Sequence, residues 1–156
     1  MSFKTINRYI YINGTPLFHF LMIQYKSVIL IDDDEDYLFL SKRSLEKLQI
    51  FEKVDVLTSA LAGLDFIAAN YNIPPSDDRK TVIFIDNHMP GMDGFAFLER
   101  LTNVTGIVPE NFLVYMTSSF TNDVDKDRLI KYHIQGFVNK PLSLDKLRAM
   151  FIDYAT

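Results

Sequence analysis

The chain has 156 residues, 48% of them hydrophobic and 23% charged, a globular balance that excludes wholesale disorder and suffices for one domain with a real core. Its formal net charge of −4 argues against a general nucleic-acid binder, and no apolar run reaches the roughly 18 residues that a membrane span needs. With no cysteine there is no disulfide or thiolate chemistry, and three scattered histidines, His19, His88 and His133, give little support for a zinc site.

The chain opens with MSFKTINRYIYINGTPLFHFLMIQYK, rich in aromatic residues and isoleucine. Its apolar run LFHFLMI is short, interrupted by His19 and without a small-residue cleavage site, so it is not read as a signal peptide. Residues 1–26 are expected to be a poorly ordered or non-native extension, with Met22 an alternative start, and residues 27–156 to form the domain.

From Ser27 short apolar runs alternate with amphipathic segments. SVILI reads as a buried strand, and DEDYLFLSKRSLEKLQI as a helix with Leu38, Leu45 and Leu48 near helical spacing. KVDVLTS is a second strand and ALAGLDFIAANY a second helix; NIPPSDDRK is a loop by its proline pair. TVIFI is a third strand, DNHMPGMDG a loop and FAFLERL a helix. After TNVTGIVPE comes NFLVYMT, a fourth strand. TNDVDKDRLIKYHIQG is a helix with Thr121 or Asn122 as N-cap and Gly136 as its stop. FVNK is a fifth strand, and PLSLDKLRAMFIDY a last helix capped by Ser143. Five such strand–helix units predict an α/β fold with a mainly parallel sheet.

In open α/β sheets ligands sit beyond the carboxyl ends of the strands. There the first strand runs into Asp32 and Asp33, the third into Asp86, the fourth into Thr117 and Ser118, and the fifth into Lys140. The second ends in Thr58 and Ser59, without charge. Asp34, Glu35 and Asp36 read as a solvated helix start, favoured by the helix dipole. Asp86 directly follows VIFI, where an unpaired charge would be costly. Clustered carboxylates with few cations invite a hard divalent ion such as Mg²⁺. A carboxylate can also attack phosphorus, and the transferred phosphoryl then needs a cation, a lysine and a hydroxyl or amide donor around it. Asp86, a metal on Asp32 and Asp33, Thr117 and Lys140 supply that set.

With ILIDDDED, VIFIDNHMPGMDG, LVYMTSS and NKP in order at four strand ends, the chain resembles the receiver domains of two-component response regulators over about residues 27–154. The resemblance implies a doubly wound, flavodoxin-like five-stranded parallel sheet with helices on both faces and strand order 2-1-3-4-5. It implies that Asp86 accepts a phosphoryl group from a sensor histidine kinase or histidine phosphotransfer protein. Asp33, Asp86 and the backbone carbonyl of His88 would touch Mg²⁺, Asp32 acting mostly through water. Thr117 and Lys140 would bind phosphate oxygens, with Thr117 and Phe137 as the switch pair and a cis peptide before Pro141. His88 and Ser119 stand where the family tunes the lifetime of the phosphate. Phe137 departs from the frequent tyrosine.

The expected protein is thus a stand-alone cytoplasmic receiver and not an enzyme. It would be a monomer or weak homodimer working through an unknown downstream protein or a phosphorelay, without nucleic acid or membrane. The alternative is a small phosphatase resembling the haloacid dehalogenases, with Asp32 as nucleophile; against it, Asp36 stands where that family favours Thr or Val. An EF-hand is weaker, because Tyr37 fills its glycine position and Arg43 that of its final glutamate. A degenerate receiver that only binds a partner is opposed by the intact five-residue set.

Overall fold

The computed structural model describes residues 3–6, 9–12, 15–17, 25–72, 79–119 and 126–152. Strands β1 (Phe3–Ile6), β2 (Tyr9–Ile12) and β3 (Thr15–Leu17) pair antiparallel in a sheet of their own. No strand was predicted there.

The main sheet holds β4 (Tyr25–Ile31), β5 (Phe51–Leu57), β6 (Thr81–Asp86), β7 (Phe112–Ser118) and β8 (Gly136–Asn139), all parallel, in the order β5-β4-β6-β7-β8. Numbered among themselves these strands run 2-1-3-4-5, as expected. Helices α1 (Glu35–Glu46), α2 (Ala60–Asn70), α3 (Gly94–Leu101), α4 (Lys126–Lys131) and α5 (Leu144–Phe151) connect or follow them, with a 3-10 turn at Pro109–Asn111 before β7.

Every residue of β6 is buried, and so are the last five of β4. Successive side chains point to opposite faces of a strand, so a strand covered on both sides must be apolar throughout. Ile29, Ile31, Ile83, Ile85, Val114 and Met116 pack with residues of α2 and α3 on one face. Val28, Leu30, Val82 and Phe84 pack with Tyr37, Leu38 and Leu45 of α1 and Leu147 and Phe151 of α5 on the other. Each large aliphatic or aromatic side chain so buried stabilises by about 1.5–3 kcal/mol before entropy is counted. The sheet is therefore held from both sides, and its strand ends are rigid platforms.

The helices start where their capping residues stand. Asp34, Ser59, Asp93 and Ser143 accept hydrogen bonds from the backbone N–H groups of Tyr37, Ala62, Ala96 and Lys146. The helix ends were read less well. α1 stops at Glu46 rather than running to Ile50, because Gln49 turns into the left-handed region at φ 54° and drops Ile50 into the core. Gly136 does not end α4: it opens β8, and the left-handed turn falls on His133 at φ 52°. The caps expected at Thr121 or Asn122 lie outside the described residues.

Candidate functional site

The carboxyl edge of the main sheet gathers the polar strand ends. Asp32 follows β4 and is only 1% exposed. Its Oδ1 accepts the Asp34 N–H at 3.0 Å, and its Oδ2 meets the Lys140 Nζ at 2.6 Å. Asp86 closes β6, in register with Thr117 on β7. Its Oδ1 lies 3.1 Å from the same ammonium, and its Oδ2 accepts the His88 N–H at 3.2 Å. Thr117 is as buried as Asp32. Lys140 leaves β8 with its N–H on the Ser118 carbonyl at 3.0 Å, and its peptide to Pro141 is cis, as expected. Lys146 of α5 holds this turn by donating to the Asn139 carbonyl and, at 2.9 Å, to the Pro141 carbonyl.

Asp33 is exposed, at the mouth of the site. One carboxylate oxygen from each of Asp32, Asp33 and Asp86 falls within 4.8 Å of the others. Three carboxylates therefore face one ammonium. Burial raises the pKa of Asp32 above the usual carboxylate range, against the lowering effects of Lys140 and the Asp34 N–H, and the charge of Asp86 adds to the rise. Burial acts to lower that of Lys140, but its hydrogen bonds to Asp32 and Asp86 and their charges outweigh this and raise it. The rise at Lys140 expresses the carboxylates around it; that at Asp32 is first of all the cost of burial. Three hard oxygen donors with open space beside Asp33 fit a Mg²⁺-like ion that keeps part of its water shell. Asp32, Asp33 and Asp86 would hold it.

His88 supplies its N–H to Asp86, while its exposed ring has Nε2 3.2 Å from the Asn87 amide nitrogen. Phe137 of β8 stands beside Met116, one position before Thr117 on the neighbouring strand. It is half-buried, with its ring 6.4 Å from that of Phe95. Gly94 opens α3 against Asp86: a Cβ there would lie 2.7 Å from the Asp86 carbonyl oxygen and 2.6 Å from the Met116 sulfur. Only glycine lets the helix come so close.

Sequence reasoning missed Tyr37 and Asn87. Both are buried at the edge of the site, and the Lys140 Nζ lies 4.6 Å from the centre of the Tyr37 ring. The burial of Tyr37 could have been found: with Leu38, Ser41 and Leu45 it forms one helical face.

The response regulator receiver domain model matches residues 28–152. A curated relative described as a probable methanogenesis regulatory protein of Methanothrix harundinacea is 25% identical over 121 residues, which is 78% of this chain and 76% of that one. A response regulator receiver protein from Dyadobacter fermentans superposes with a TM-score of 0.66 at 27% identity, over 80% of this chain and 94% of the other. A two-component response regulator from Cytophaga hutchinsonii gives 0.69 at 23% identity, over 82% and 95%.

Proposed function

From the premise that this chain belongs to the response regulator receiver domains, we propose that it accepts a phosphoryl group on Asp86, with Mg²⁺, from a phosphohistidine on a sensor kinase or phosphotransfer protein. The observation that carries the reading is the meeting of the Asp86 carboxylate with Asp32, Asp33 and Lys140 at one sheet edge. An Asp86 oxygen forms the new P–O bond as the P–N bond to the donor imidazole breaks, and the leaving nitrogen keeps the electron pair and takes up a proton. A metal held by Asp32, Asp33 and Asp86 would neutralise charge on the phosphoryl oxygens. The Lys140 ammonium and the Thr117 hydroxyl then bind those oxygens, and the His88 N–H stays on the carboxylate side.

The output is partner binding or onward transfer. Thr117 follows the phosphoryl, and Phe137, opposite the preceding Met116, carries the change to β8. A phosphate can shift this equilibrium only by its differential affinity for the two states, and one charge-assisted hydrogen bond of about 1.5–3 kcal/mol suffices. The cytoplasm is the compartment this reading implies.

The test is a small phosphodonor with Mg²⁺. A hydroxylamine-labile phosphoryl is expected on Asp86, with Asp86→Asn removing it entirely. A label on Asp32 that survives Asp86→Asn would support the phosphatase-like reading instead.

A further inference from the structure

We infer that Tyr37 is a further phosphoryl-binding residue of this site, its hydroxyl a donor whose acceptor arrives only with the phosphoryl group on Asp86; this rests on the reading just given. Tyr37 is 8% exposed, and its hydroxyl oxygen is buried without a hydrogen-bond partner. Buried hydroxyls nearly always find one, so an orphan points to something that the resting state lacks. The residue stands in the first turn of α1, three positions after the capping Asp34, and its N–H is fixed on that cap at 2.9 Å. Its ring lies under the Lys140 ammonium, which itself joins Asp32 and Asp86. The aromatic face thus braces the cation that would meet the phosphoryl, while the hydroxyl lies close to that of Thr117, the residue registered against Asp86. Burial above all, and the charges of Asp32 and Asp86, raise the phenol's pKa, against the nearby hydroxyls of Ser41 and Thr117. It therefore stays protonated and can donate.

Three variants test this: Tyr37→Phe keeps the ring and removes the donor, Tyr37→Leu removes both, and Asp86→Asn controls for the acceptor. Beryllofluoride with Mg²⁺ is the phosphoryl mimic, its affinity read by NMR titration, beside the rate of labelling by acetyl phosphate and the melting temperature of the unliganded proteins. Tyr37→Phe is expected to lose about ten-fold or more in beryllofluoride affinity, as one charge-assisted hydrogen bond would give, and to melt at or above the wild-type temperature. Tyr37→Leu should lose more affinity and also melt lower. Unchanged beryllofluoride affinity in Tyr37→Phe overturns the inference, as does a lowered melting temperature, which would mean that the hydroxyl has a structural partner at rest. Either result leaves Asp86 labelling intact in the wild type. Failure of the wild type to label on Asp86 overturns the parent reading and this one together.

Discussion

The two ends of the main sheet bury polar groups in opposite ways. At the amino end, Ser27 of β4 has its Oγ 2.6 Å from the Tyr71 hydroxyl and 3.1 Å from the Thr81 hydroxyl of β6. All three are neutral, and they satisfy one another. At the carboxyl end of the same two strands stand Asp32 and Asp86, with a single ammonium between them and Asp33 at the rim. One cluster is complete as folded. The other is short of positive charge and asks for a ligand. Burial of polar groups is therefore no mark of function by itself; the surplus of carboxylates is what the proposed function would use.

The comparison breaks most visibly at Lys140. Lys140→Met leaves Asp32 and Asp86 buried without a counter-charge, and removing one partner of a buried pair costs about 3 kcal/mol or more. Melting without Mg²⁺ should fall by about 10 °C, and millimolar Mg²⁺ should recover part of the loss by binding the folded state. A variant that melts like the wild type would show that the ammonium balances nothing.

Ser27→Ala sharpens the contrast from the other end. It strips Tyr71 and Thr81 of a partner, at a cost of about 1–2 kcal/mol, read as a drop of several degrees in melting temperature. Labelling of Asp86 and Mg²⁺ affinity should not move. If they do, the two ends are coupled and the amino cluster is more than a closure.

The smallest effect is expected where residues 1–26 join the amino end at β4. Tyr25 and Lys26 open β4 and belong to the main sheet; we propose that the residues before them lie outside the functional domain expected at 27–156. Removing residues 1–21 should then leave the melting temperature within about 8 °C, roughly a kcal/mol or two for a domain of this size, and Asp86 labelling unchanged. A larger fall would show that the segment packs on the domain.

The site was legible because strand ends are. Apolar runs such as VIFI announce buried strands, and the first polar residue after each must then sit at the sheet edge, which placed Asp32, Asp86 and Thr117 without any coordinates; Lys140 follows one residue later, after Asn139. The starts of helices were equally readable, since Ser59 and Ser143 cap by a chemistry written in their side chains. Helix ends were not. Gln49 and His133 take left-handed conformations that glycine would have announced, whereas Gly136 lies in an ordinary strand. Tyr37 escaped because its hydroxyl suggests a surface residue, and only the packing of α1 reveals that it is enclosed. The strand Tyr9–Ile12 follows an alternation of Tyr and Ile, whereas Phe3–Ile6 and Thr15–Leu17 carry no such pattern.

The glycine that opens α3 has a kinetic consequence. Asp86 is registered against Thr117, the next N–H is tied to the Thr117 carbonyl at 2.9 Å, and the Gly94 N–H reaches back to the Asn87 carbonyl at 3.3 Å. With the helix seated against the Asp86 carbonyl and both carboxylate oxygens engaged, the Asp86 side chain has almost no torsional search left. The ordering cost belongs to folding and is not met again at each encounter with a donor. If Asp86 is the acceptor, as proposed, donors of similar leaving-group strength would be discriminated by their docking rather than by any rearrangement of its side chain.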